Sequence, residues 1–145
     1  MIIDQSVLLE WLKNQQKADE CEQILDACAA GDRTGYIIDF HINGTRAVLG
    51  YGSSKPDEKI RQFENRLASG IGIERCVLSH RDIHGACAIL RDPESTLDFD
   101  DSCVVQAALE LDTPIVAKDD DFWINNHEDR YGYRHISVDD YVSML

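Results

Sequence analysis

At 145 residues the chain has about the length of one domain, and can bury a core without disulfides or a structural metal. Its 43% hydrophobic and 28% charged residues suit an ordinary globular protein, and no apolar run approaches the roughly 20 residues that span a bilayer. A net charge of −13, with no basic cluster, excludes broad salt-driven binding to nucleic acid through phosphate contacts.

Action on nucleic acid is not excluded, because bound divalent metal supplies positive charge locally. A basic partner protein or a high-salt cytoplasm would also match the acid excess. The opening MIID has no basic region and no small-residue cleavage site, so the expected location is cytoplasmic, away from membrane. The five cysteines (Cys21, Cys28, Cys76, Cys87, Cys103) are odd in number and never spaced C-x-x-C. Most lie in apolar stretches, which predicts reduced, buried thiols and no zinc or disulfide framework.

In chain order, Met1 to Asp4 reads as a first strand ending in an acid, and Ser6 as the cap of a helix through Trp11 and Leu12. Ala18, Cys21, Leu25, Cys28 and Ala29 fall at helical spacing up to Gly31. Tyr36 to Ile38 is a short strand, with Asp39 capping a helix from about Phe40 to Gly50. A Gly/Ser-rich loop leads to Pro56, which opens a helix bearing Ile60, Phe63 and Leu67 on one face. Ile71 to Leu78 reads as strand, and Ser79 to Arg91 as a helix burying Ile83, Ala86, Cys87 and Leu90, broken at Asp92-Pro93. An amphipathic helix from Asp101 turns Val104, Ala107, Ala108 and Leu111 inward. Then come a strand at Ile115–Ala117, an acidic turn, a strand at His135–Ile136 and a terminal helix from about Asp139. Strands alternating with helices, without repeats or linkers, predict one α/β domain over residues 1–145, its mostly parallel sheet covered on both faces.

Sites in such folds form at the carboxyl ends of the strands. Asp4 ends the first strand, Asp119 follows the Ile115–Ala117 strand, Asp121 lies in the same turn, and Asp101 lies in a first helical turn. Three or four carboxylates from separate segments suit a hard divalent ion, which activates water at a phosphoryl centre. Since the chain holds 18 aspartates and each is a good helix cap, spacing alone leaves caps and metal ligands both open. Other constellations fall away. His80 and His84 lack the glutamate of a zincin and read as a solvated helix face, and Asp98-Phe99-Asp100-Asp101 lacks the glycine and terminal glutamate of a calcium loop. Lys118 reads as an exposed turn lysine, and Phe122 and Trp123 as core anchors.

Leu97 to Phe122 (LDFDDSCVVQAALELDTPIVAKDDDF) resembles the C-terminal half of a PIN domain, in which an acid opens an alanine-rich helix, a short strand follows, and an acid-x-acid-Phe turn comes next. IIDQSVLL at Ile2–Leu9 resembles the family's first strand, and ISVDDYVSML its closing strand and helix. The resemblance implies a three-layer α/β/α sandwich with a short, mostly parallel central sheet. It implies Asp4, Asp101 and Asp119 as catalytic, metal-binding acids, Asp121 as the more variable fourth, and Ser6 as the small polar residue supporting the first at the cofactor site. It implies a Mg²⁺- or Mn²⁺-dependent endoribonuclease, with RNA as substrate, an antitoxin protein as partner and a homodimeric assembly. One departure stands out. The family's pattern has a glutamate early in the helix after the second strand, and IIDFHINGTRAVL aligns Asn43 or Gly44 there, with Asp39 and Asp98 as candidate substitutes. The alternative reading is therefore a PIN-like domain that no longer cuts and serves as a binding or scaffold module.

Overall fold

The computed structural model describes residues 1–145, apart from the side chain of Ser69. Five short strands, β1 (Ile2–Ile3), β2 (Gly35–Ile38), β3 (Ile73–Cys76), β4 (Ile115–Ala117) and β5 (His135–Ser137), form one sheet of order β3-β2-β1-β4-β5. Every pairing is parallel, and Ile2 sits between Tyr36 and Ile115. Parallel strands require crossover connections. Helices α1 (Gln5–Leu12) and α2 (Ala18–Ala29) join β1 to β2, and α3 (Asp39–Gly52) and α4 (Pro56–Ser69) join β2 to β3. Helices α5 (His80–Arg91) and α6 (Phe99–Glu110) join β3 to β4, α7 (His127–Tyr131) precedes β5, and α8 (Val138–Ser143) closes the chain.

The two-residue period of the strands divides the core. Ile3, Ile37 and Val116 face one cluster, with Leu8, Leu25, Leu49, Phe63 and Val138 from the helices on that side. Their neighbours Ile2, Ile38, Ile115 and Ala117 face the other, with Val104, Ala108, Phe122 and Tyr133. Successive side chains on a strand point to opposite faces, so a buried strand must be apolar throughout. That is the α/β/α sandwich expected, with the sheet parallel throughout. Cys21, Cys28 and Cys103 are buried, Cys76 and Cys87 half-buried, and all five are free thiols. Among the described residues no helix is long and apolar enough to cross a membrane.

Several local expectations need correcting. Asp4, not Ser6, caps α1, its carboxylate accepting the Ser6 N–H. Asp39 lies inside α3 and is drawn sideways into an ion pair with Arg75. The third strand is shorter than Ile71–Leu78 because its ends are solvent-facing: Ile71 and Val77 are exposed. In α5 the inward row is Asp82, Ala86 and Ile89, leaving Ile83 and Cys87 half-buried and Leu90 exposed. Leu111 lies past the end of α6 and is exposed. Helix α7 has too few turns to show periodicity; it is held by Asp92, which binds both Arg130 and Tyr131. His80 and His84 are exposed, as expected.

Candidate functional site

Strand β1 is followed along the chain by β2 on one side, and the later β4 lies on its other side. Loops leaving β1 and β4 therefore diverge, and the crevice between them is where ligands bind in open α/β sheets. Asp4 leaves β1 at this point. Its N–H donates to Val116 O at 3.0 Å, and its Oδ2 accepts the Ser6 N–H at 2.8 Å. A strand ending in aspartate before a helix makes this cap, and the cap fixes the carboxylate; Asp4 is 8% exposed. The Ser6 hydroxyl accepts the Lys118 N–H at 3.1 Å, tying α1 to the turn after β4. The next residue, Asp119, precedes a 3₁₀ turn, Asp120–Phe122, without capping it, so its carboxylate is uncommitted. Across the crevice Asp98 caps α6 by accepting the Asp101 N–H at 2.8 Å, which sets Asp101 in the first turn.

These segments enclose a cavity of about 240 Å³. Asp4, Ser6, Asp101, Asp119 and Asp121 line it, so the structure brings all the sequence-predicted site residues together. It adds Gln5, Leu9, His41, Asp98 and Asp100. Of the two candidate substitutes for the family glutamate, Asp98 is in the cavity and Asp39 is outside it. Neither Asn43 nor Gly44 faces it. Asn43 is exposed and accepts from Arg46 at 2.9 Å, and Gly44 packs on Gln5, whose Nε2 would stand 2.9 Å from a Cβ there. The residue that α3 presents instead is His41, 2% exposed, its ring edge-on to Phe40.

No Lys or Arg lines the cavity, and the electrostatics follow. Burial, reinforced by the charges of Asp98, Asp4 and Asp121, pushes the Asp101 carboxyl up to about 7. Asp119 is also raised, by lost solvation and then by Asp4. Burial pushes the His41 imidazole down, against the pull of Asp4, Asp100 and Asp98. Lys118 is exposed in the turn, as expected, and its Nζ folds back 3.1 Å from the carboxylate of Glu10, which is 1% exposed. Phe122 is a core anchor as expected, but Trp123 is 47% exposed, edge-on to His135.

As they stand, no group of three or more His, Cys, Asp or Glu side chains among the described residues is arranged to hold a metal ion. Uncompensated carboxylates repel one another, and an open rim lets Asp98, Asp100, Asp119 and Asp121 extend into solvent. The donor chemistry nevertheless fits a divalent cation. The cavity offers carboxylate oxygens from three segments and no cationic side chain to neutralise them.

Sequence pattern does not single out His41 or Asp100. Asp100 lies within an acidic run and His41 three residues beyond β2; only the rotational phase of each helix shows which side chains turn inward.

No family model matches the sequence, and no curated protein matches it. Among solved structures, the fold is similar to VapBC2 from Rickettsia felis bound to a DNA fragment from their promoter, with a TM-score of 0.70 and 11% identity over 94% of this chain and 96% of that one. It is also similar to a toxin–antitoxin complex from Klebsiella pneumoniae (0.63, 14%, 85% and 90%) and to FitAcB from Neisseria gonorrhoeae (0.63, 12%, 94% and 96%). At such identities the likeness is one of fold alone, and it agrees with the α/β/α sandwich that the sequence resemblance implied.

Proposed function

We propose that this chain is a metal-dependent endoribonuclease, acting as the toxin of a toxin–antitoxin pair. The observation that carries this reading is the convergence of Asp4, Asp101, Asp119 and Asp121 on one cavity without a compensating cation. These four would hold Mg²⁺ or Mn²⁺, with Ser6 bracing the loops that carry Asp4 and Asp119. Bound there, the metal supplies an activated water and charge stabilisation at a phosphodiester undergoing in-line displacement. The chain's own part is positional. The Asp4 and Asp98 caps fix the helix starts, and Asp101, its carboxyl pushed up to about 7 by burial, would give up its proton to serve as a ligand. An antitoxin partner is supported by the solved structures of similar fold, and a net charge of −13 favours a basic one. Cleavage of RNA by the full chain with Mn²⁺ or Mg²⁺, lost in Asp4→Asn, is the expected result. Equal cleavage by that variant overturns the assignment.

A second reading is a PIN-like binding or scaffold module that does not cut. It is favoured by the absence of a ready ligand group among the described residues and by Asn43 or Gly44, not an acid, aligning with the family's glutamate. Calorimetry showing no Mn²⁺ binding at millimolar concentration would support it.

A further inference from the structure

Away from the acidic cavity, the ends of α1 and α3 and the start of α4 enclose another, of about 350 Å³. Leu12, Val48 and Leu49 form its apolar wall, and Lys13, Ser53, Ser54 and Lys59 its polar lining. No Asp or Glu lines it, in a chain that holds 27 of them. Gln5 and His41, near the starts of α1 and α3, line the acidic cavity, so the two cavities lie toward opposite ends of the same helices.

The cations here are ones the fold does not match. Of the chain's lysines, Lys17, Lys55 and Lys118 are paired with Asp139, Glu58 and Glu10. Lys13 and Lys59 are in no ion pair among the described residues, and both line this cavity. Lys13 follows α1 directly and gains from the negative end of that helix. Lys59 has no such gain. It lies in the opening turn of α4, where the helix end is positive, with Lys55 one turn before it. Helix α4 has no side-chain cap, so its first N–H groups add to the positive potential. Ser53 Oγ accepts the Lys55 N–H at 3.1 Å and keeps its own proton to donate, and Ser54 adds a second hydroxyl. Asp57 and Glu58, the acids of that turn, are exposed and outside the lining.

We infer that this cavity binds a phosphomonoester carried on an apolar body of nucleoside size, with the phosphate on Lys13, Lys59 and the serine hydroxyls and the body against Leu12, Val48 and Leu49. A phosphate dianion answers two ammonium groups, where a carboxylate would leave one unmatched, and its oxygens accept from hydroxyls as well. The volume falls within the roughly 300–1,000 Å³ of small-molecule sites, and an apolar wall has nothing to hold on a bare phosphate. The net charge of −13 opposes any anion at long range. Charges beyond about 8 Å are largely screened at physiological salt, so the two lysines decide the local potential.

The test titrates AMP into the full chain by calorimetry, with EDTA present, alongside inorganic phosphate and adenosine. AMP is expected to bind more tightly than either and to weaken as salt rises. Lys13→Gln and Lys59→Gln should each weaken AMP by about tenfold, as loss of a hydrogen bond to a charged group does, and Lys55→Gln by about twofold or less. No AMP binding at millimolar concentration, or binding unchanged in both cavity variants, overturns the site. Inorganic phosphate or adenosine binding as tightly as AMP overturns the assigned ligand class. Lys13 is exposed and Lys59 half-buried, so the variants should keep the fold, which thermal melts check. None of these outcomes touches the nuclease reading, which Asp4→Asn tests.

Discussion

Helix α3 borders two concavities whose charges are treated in opposite ways. On one side is the acidic cavity; on the other is a groove of about 290 Å³ over Ile37, Ile42, Leu67 and Ile73. In the groove every arginine has an anion: Arg46 Nε lies 2.5 Å from Glu64, holding that carboxyl below its usual range, and Arg75 pairs with Asp39. In the cavity six aspartates face one histidine, with no Lys or Arg among them. Charges matched within the fold serve the fold. Charges left unmatched raise its free energy, and are retained where something outside the chain completes them.

The sharpest way to break this contrast is to remove one charge from each side. Asp4→Asn is expected to reduce Mn²⁺-dependent RNA cleavage on the order of a thousandfold, as removing a preorganised electrostatic group does. Arg46→Ala, in the groove, should leave cleavage within about twofold if only the cavity is catalytic. A gel-based cleavage assay reads both, and comparable losses would erase the distinction. Lys118→Ala comes next. It removes one of two partners of the buried Glu10 carboxylate, which keeps the Lys17 N–H at 2.8 Å, and a cost of about 1–2 kcal/mol is expected in urea unfolding. Unchanged stability would mean that the lysine is free after all to serve the site.

Asp101→Asn should act in the opposite sense. The folded carboxyl titrates near 7, above its ordinary 3.8, so the folded state binds that proton more tightly than the unfolded chain. Wild-type stability therefore falls as pH rises from about 4 to about 7, and the asparagine variant should lack that fall and be more stable by about 1–2 kcal/mol at pH 8. Thermal melts at pH 5 and pH 8 measure it. A variant less stable at pH 8 would show that the carboxylate is compensated within the fold. The smallest effect belongs to the groove: Arg75→Ala breaks a largely exposed pair and should change the unfolding free energy by about 0–1 kcal/mol.

Much of this arrangement is legible in the order of residues. The apolar triplet Ile115–Ala117 and the run Met1 to Ile3 predict buried strands because a parallel strand buries both its faces. Asp4 follows β1 directly, and Asp119 and Asp121 lie two and four residues past β4, so their place near the carboxyl edge follows from chain order. Asp98 is less legible: the run Asp98-Phe99-Asp100-Asp101 offers three acids, and only the cap geometry shows Asp98 holding the Asp101 N–H. Leu90 and Ile89 illustrate the same limit in the core, since both fit helical spacing from Ala86 and packing chose the latter.

The amino-acid sequence by itself determined the alternation of strand and helix and the acids that follow β1 and β4, because period and capping are properties of neighbours in the chain. What only the tertiary structure decided was which distant charges meet. Lys118 turns to Glu10, Asp39 turns to Arg75, and His41 enters the cavity in place of Asn43 or Gly44. The reason is the phase of α3, which the docking of Ile42 and Leu49 against the sheet sets: it turns the His41 imidazole inward and leaves Asn43 to solvent.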